Sequence, residues 1–334
     1  MNNMKETVKR KCEICSSTNM SIFQHAKSLD DLESKEYIYL KCKECGFVFL
    51  NTKSDFSSKT DFYNESGFYS REKERLKKII DPLMRFFNRF RYNVVSKNIY
   101  DKKKGKLLDI GCGKGKFLVE AQKCGWEVYG IEPTKRSSDF AINEYGLNVL
   151  QEHLSLGLFR SNFFDVITMW HVFEHIPDQN NVLHLASGWL KDEGLIFIAS
   201  PNIDSKQALF GKDLWFNLDP PRHLYHFSPK TLKLILEKNG FVLKYISYFY
   251  PELNYFSLIQ TFLNKIGCSP NLLFNFLKRN KKGLPKSSFI LVKDIFVTIL
   301  VLIVLGLPLI CISTIEELIK KGGSLVAVAQ KEKK

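Results

Sequence analysis

The chain is short of acid: 35 Asp and Glu stand against 49 Lys and Arg in 334 residues, a formal charge of +14. Such an excess calls for an acidic partner, nucleic acid or an anionic membrane surface, and charge alone does not choose between them. A secretory leader is also missing. The opening MNNMKETVKRKCEIC has no apolar stretch after its charges and no cleavage site, so the chain is expected to work in the cytosol. In that reducing compartment the eight cysteines read as metal ligands or isolated thiols, not as a disulfide framework. With 45% hydrophobic and 13% aromatic residues, a chain of this length has ample material for a large buried core.

The glycine spacing of a dinucleotide site is absent too. Lys106 to Phe117 reads KLLDIGCGKGKF, so Gly111, Gly113 and Gly115 follow G-x-G-x-G where a pyrophosphate would need G-x-G-x-x-G. What is present is an apolar run, Leu107, Leu108 and Ile110, suited to a buried parallel strand, ending in a loop where the backbone can turn sharply and approach a small ligand. Asp109 sits at the strand's carboxyl end. A helical run from Phe117 to Cys124 stops at Gly125, and a second strand, Glu127 to Ile131, ends at Glu132. This is one βαβ unit. An acidic side chain about twenty positions beyond the glycines can accept hydrogen bonds from both hydroxyls of a ribose.

LLDIGCGKG and YGIEP resemble the first two cofactor motifs of class I S-adenosylmethionine-dependent methyltransferases, and the resemblance continues through SNFFDVITMWHVFEHIPD at Ser161 to Asp178. It implies an α/β fold with a doubly wound, seven-stranded Rossmann-like sheet. It also implies that Asp109, Gly111, Cys112, Gly113 and Gly115 surround the cofactor's methionine part and that Glu132 holds the ribose. LNVLQEHL resembles the third strand, with Gln151 or Glu152 in reach of the adenine, although the acidic-hydrophobic pair often found there is missing. Phe164 to Met169 reads as the fourth strand, which leads into His171 and the Glu174–His175 pair over the pocket mouth, where catalytic groups belong. Leu195 to Ser200 reads as the fifth. The following PPRHLYHFSPKTLKLILEKNGF, with Ser228 and Pro229 as helix-start signals, implies that His223, Tyr225 and His226 face the acceptor. A histidine near neutral pH can take a hydroxyl proton, while the sulfonium is already an activated electrophile, so much of the catalysis is positioning.

Near the amino terminus Cys12-x-x-Cys15 and Cys42-x-x-Cys45 are separated by about 26 residues of strand-like sequence, and Gly46 follows where a knuckle turn wants positive φ. Four thiolates so spaced make a closed structural zinc site. A redox dithiol would require a βαβ setting that residues 1 to 50 do not offer. The layout resembles that of sugar methyltransferases and of methyltransferases of bacterial surface-glycan clusters.

Between the modules, Tyr63 and Tyr69 in DFYNESGFY read either as a lid over the cofactor or as packing between ribbon and core. Arg71 to Tyr100 reads as a basic amphipathic helix that packs on the core or contacts a membrane or partner. No charge interrupts Ile295 to Ile315, long enough to cross a hydrocarbon core of about 30 Å. Yet GGSLVAVAQK at Gly322 to Lys331 reads as the last, antiparallel strand of the same sheet. With Gly306 and Pro308 inside it, the run is therefore expected to be a bent or paired-helix insertion dipping into the cytoplasmic leaflet, flanked by Lys278, Arg279, Lys281 and Lys282; a buried helix or a dimer interface is the other reading.

The expected organisation is a zinc ribbon at 1–52, a lid segment and basic helix at 53–104, the methyltransferase core at 105–250, a hydrophobic helical insertion at 251–321 and the final core strand and tail at 322–334. The expected function is methyl transfer from S-adenosylmethionine to a glycan, nucleotide-sugar or lipid-linked acceptor at the inner face of the cell membrane. An RNA methyltransferase is the rival enzyme, but the N/D-P-P-Y-like turn of base-amine methylation is replaced by WHVFEHIPD, so nucleic acid is not the expected partner. A membrane-bound scaffold that binds cofactor without turnover is the non-enzymatic alternative, which the intact Asp109, Gly111, Gly113 and Glu132 oppose.

Overall fold

The computed structural model describes residues 10–28, 35–51, 74–99, 105–278, 280 and 283–333, with side chains of the first helix described from residue 82. Tyr63 and Tyr69, with the lid reading attached to them, lie outside the described residues, as do Arg279, Lys281 and Lys282. The amino-terminal part forms β1 (Met20–Lys27), β2 (Glu36–Cys42) and β3 (Val48–Leu50), and α1 spans Glu74–Ser96.

The strands legible as apolar runs then alternate with helices. They are β4 (Lys106–Ile110), α2 (Lys116–Lys123), β5 (Glu127–Ile131), α3 (Lys135–Tyr145), β6 (Asn148–Leu150), β7 (Phe164–Trp170), α4 (Gln179–Trp189) and β8 (Leu190–Pro201). After α5 (Lys206–Gly211) come the two-residue β9 (Tyr225–His226), α6 (Pro229–Lys238) and β10 (Phe241–Ser247). The chain closes with α7 (Pro251–Lys265), α8 (Leu272–Lys278), α9 (Ser288–Leu318) and β11 (Ser324–Lys331).

Seven strands make the main sheet in the order β10-β11-β8-β7-β4-β5-β6. Neighbours from β6 to β8 are parallel, and β11 runs antiparallel between β8 and β10, with Ser324 opposite Pro201. Leu107, Leu108, Phe164, Ile167, Ile196 and Phe197 are fully enclosed. Burial of each such side chain stabilises the fold by about 1.5–3 kcal/mol, which is why the central strands carry no polar alternation. Strand order reverses at the β4–β7 boundary, the switch point where an open α/β sheet leaves a crevice at its carboxyl ends.

A second sheet, β1-β2-β3-β9, joins the cysteine-bearing module to the core. Val48 and Phe49 pair with His226 and Tyr225. Phe47 stacks on Tyr225 with ring centroids 5.6 Å apart and meets Phe227 at 5.4 Å. The module therefore shares its hydrophobic core with the larger domain, which supplies burial that fifty residues alone do not have.

The hydrophobic insertion corrects one expectation. No second helix pairs within the run: α9 is a single helix of 31 residues that continues through Pro308. A proline removes one amide donor and crowds the preceding turn, but a run of apolar residues with no competing turn signals keeps the remaining helical bonds. Leu258 and Leu263 of α7 meet Val301 and Leu309 of α9, and Asp294 accepts hydrogen bonds from the amide and hydroxyl of Ser269. Its opposite face is bare, with Phe289, Ile303, Leu307 and Leu318 each more than three-quarters exposed.

Candidate functional site

The glycine loop leaves β4 at the switch point. Gly111, Gly113 and Gly115 all hold positive φ, at 71°, 54° and 71°. A Cβ on Gly111 would lie 2.5 Å from Val172, and one on Gly115 would lie 2.4 Å from Leu147, so the loop is pressed against the end of β7 and against α3. Asp109 is buried beside it and accepts a 2.6 Å hydrogen bond from the Thr168 hydroxyl of β7. Burial raises its carboxyl to about 7, against the opposing pull of Thr168 and the Arg91 guanidinium, with the Glu132 charge adding to the rise.

Glu132, at the end of β5, accepts hydrogen bonds from the Gly113 amide and the Thr134 amide, both 2.9 Å. Its carboxylate ties the glycine loop to the start of α3, and two oxygens with about four lone-pair sites retain capacity for ribose hydroxyls. Cys112 is buried under the loop, and Gln151 and Glu152 lie exposed just past β6, whose Leu150 carbonyl accepts from the Glu132 amide. The acidic, glycine-lined end of β4 and β5 fits a cationic nucleoside.

The chain brings a second group to the same end of the sheet. His171 follows β7 in a left-handed conformation, φ 55°, a strained backbone of the kind that collects at functional sites. Its Nδ1 lies 3.3 Å from Glu174 Oε1, and its ring is 5.0 Å from that of Tyr250. Glu174 is fully buried; despite that, the nearby His171 and His175 hold its carboxyl below the usual range. A backbone bond from the Leu224 amide to the Glu174 carbonyl draws in the loop before β9, so that His175 and His223 rings stand 4.7 Å apart.

The remaining expected residues are turned elsewhere. His226 is packed between Tyr39 and Trp215, and its Nε2 pairs with the Leu218 carbonyl at 3.2 Å. Burial lowers it to about 4, so it is neutral near pH 7. Tyr225 donates to Glu13 and to the Pro177 carbonyl, facing the amino-terminal module and not the crevice. Two residues were invisible among motifs: Arg91 of α1, ion-paired with Glu252 and with its guanidinium 5.8 Å from the Trp170 ring centroid, and Tyr250 beside His171. Arg91 is one of many basic residues on α1, and no spacing marks it.

The four cysteines converge. Cys12 and Cys45 sulfurs are 3.5 Å apart, as are those of Cys15 and Cys42, and all four lie within 4.8 Å of one another. Zinc bound at about 2.3 Å to each thiolate of a tetrahedron sets sulfurs about 3.8 Å apart, so the cage fits that ion. Burial opposes ionisation at Cys42, but the backbone amides of Cys45 and Glu44 outweigh it and bring the thiol to about 7. Gly46 closes the second knuckle at φ 86°.

Comparison with known proteins shows a family for the chain. The family described as "Methyltransferase domain" matches residues 71–245, more than half of the chain. Among curated proteins, a ubiquinone biosynthesis O-methyltransferase of Actinobacillus pleuropneumoniae is 32% identical over 107 residues, 29% of this chain and 46% of that protein. One of Coxiella burnetii is 28% identical over 180 residues, 49% and 77% respectively. The chain spans about half the length of the first curated relatives it matches. Among solved structures, an Archaeoglobus fulgidus SAM-dependent methyltransferase is 23% identical, with TM-score 0.45 over 74% of this chain and 93% of that one.

Proposed function

The chain belongs to the methyltransferase domain family, and on that premise we propose that it moves a methyl group from S-adenosylmethionine to a hydroxyl oxygen of a glycan, nucleotide-sugar or lipid-linked acceptor at the cytoplasmic membrane face. Bound in the crevice, S-adenosylmethionine supplies a methyl already activated on a sulfonium. The observation that carries the reading is the meeting of two groups at one end of the sheet: the Asp109, Gly111, Gly113 and Glu132 cradle, and the His171, Glu174, His175 and His223 cluster after β7. Asp109 faces the cofactor's ammonium end and Glu132 its ribose. A histidine of the cluster takes the acceptor's proton, and Glu174 orients and charge-balances the rings. His226 supports the loop from behind.

Oxygen as the accepting atom is supported by the O-methyltransferase names of the curated relatives. The lipid side rests on α9, which is long and apolar enough to cross a membrane yet is followed at once by β11 in the cofactor sheet. We place it along the inner leaflet, with exposed Lys286, Lys293, Lys320 and Lys321 at its ends toward anionic head groups. The four cysteines hold structural zinc, with no open position for chemistry. Turnover decides the reading: formation of S-adenosylhomocysteine is measured with acceptors fractionated into lipid, nucleotide-sugar and RNA pools. Turnover driven by RNA alone would replace it.

A further inference from the structure

Glu174 is a costly residue for its position. It is wholly buried, and neither carboxylate oxygen accepts a hydrogen bond from the described residues; His171 Nδ1 approaches one of them at 3.3 Å without making one. With only the His171 ring near it and no hydrogen bond made, this buried carboxylate keeps lone pairs unsatisfied, and buried carboxylates are as a rule paired with cations or bound to metals. A ligand atom of Glu174 lies within 4.8 Å of ring nitrogens of both His175 and His223.

The two rings are already held in one tautomer. His175 Nδ1 is 2.8 Å from the Arg222 carbonyl and His223 Nδ1 is 2.6 Å from the Asn217 carbonyl. A carbonyl only accepts, so in a neutral ring the proton sits on Nδ1 and Nε2 is the nitrogen that would meet a metal. Orientation of an imidazole by a backbone carbonyl on its far nitrogen is the arrangement that steadies metal-binding histidines. A further carboxylate is close, since Asp219 lies 3.9 Å from His223 Nε2. His175 is half-buried where the other two are enclosed, which gives an ion a route in.

We propose that Glu174, His175 and His223 hold a divalent transition-metal ion of the zinc class, separate from the four cysteines. Two imidazoles and one carboxylate suit zinc or its neighbours, three protein ligands leave one position open to an acceptor oxygen, and His171, outside the set, is then the ring of the cluster that takes its proton. The site stands whether or not the acceptor reading is right, because metal is counted without turnover.

The test uses the full-length protein, stripped with a chelator under reducing conditions and titrated with cobalt(II). The wild type takes two equivalents: one gives sulfur-to-cobalt charge transfer, and the other gives only weak visible bands. Glu174→Gln and His223→Ala each lose the second equivalent and keep the first, whose thiolate band also reports that the amino-terminal module is folded. His175→Ala, at the half-exposed ring, gives the same reading should the buried substitutions not fold. A wild type that saturates at one equivalent, all of it in the thiolate band, overturns the proposal, as does a folded Glu174→Gln protein that still takes two.

Discussion

The hydroxyl of Tyr39 sits 2.8 Å from the backbone carbonyl of His223, a residue 184 positions away, and shares its proton with the Leu218 carbonyl at the same distance. Tyr39 belongs to β2 of the cysteine-bearing module, whereas His223 belongs to the cluster beyond β7. The module therefore fixes both ends of the loop that carries a candidate catalytic ring.

Tyr39→Phe should keep the packing and remove that clamp. The Leu218 carbonyl keeps His226 Nε2, but leaving the His223 carbonyl without its Tyr39 donor costs about 1–3 kcal/mol. Denaturant titration should give a lowered midpoint, with a larger loss of acceptor affinity than of cofactor affinity. Unchanged stability and unchanged acceptor KM would mean the hydroxyl is idle.

Removal of zinc should act on the same loop. The tetrathiolate site is expected to hold one equivalent, and a Cys42→Ser, Cys45→Ser protein that kept its thiolate–metal absorption would sink the assignment. In the intact protein, chelation should increase amide exchange at β3 and β9, which pair through Val48 and His226.

Glu132 is expected to bind the cofactor's ribose while it holds the Gly113 and Thr134 amides. Glu132→Ala should weaken S-adenosylmethionine binding by roughly 1.5–3 kcal/mol for each charged hydrogen bond lost. Calorimetry that returned the wild-type affinity would remove this residue from the site.

Cofactor affinity should depend on pH through Asp109. Its carboxyl is raised to about 7 from 3.8 by burial, so in the folded, empty protein it is largely protonated below that pH. The sign is the reverse of a paired carboxylate: Asp109 favours the fold at low pH, and this contribution declines as pH rises from the ordinary carboxyl range through about 7. A cationic amino group prefers the ionised form, so affinity should rise toward neutral pH by up to about tenfold per unit, with proton release on binding. Calorimetry in buffers of different ionisation enthalpy detects the proton; Asp109→Asn should flatten the profile.

The outer face of α9 should hold the protein on anionic vesicles, and deletion of Ser287 to Thr314 should release it. A cleavable tag after Lys334 should be cut only from the cytosolic side. Labelling it from the opposite side would show a crossing and displace β11 from the sheet.

Much of the architecture was legible because its signals are local. Glu127–Ile131 forms β5 with the bounds its apolar pattern predicts, Ser228 caps α6 with Thr231 as its reciprocal partner, and the SLVAVAQK run forms β11. The α9 outcome differs because a proline rule concerns one turn, whereas an uninterrupted apolar run decides the whole segment. The β3–β9 pairing was out of reach: two residues, Tyr225 and His226, have no periodicity to read. For the same reason a histidine motif predicts that its members sit near a pocket but not which way each ring turns. His223 meets His175, and His226 packs away against Trp215.

The place of β11 sets a timetable for synthesis. It lies between β8 and β10, so the edge strand β10 has no partner in this sheet until residues 324–331 have left the ribosome. Before then, all 31 residues of α9 have emerged with most of their apolar side chains bare. A bilayer that captured the helix during this interval would hold the nascent chain at its surface while the last strand arrived, making membrane attachment a step of folding and not a later event.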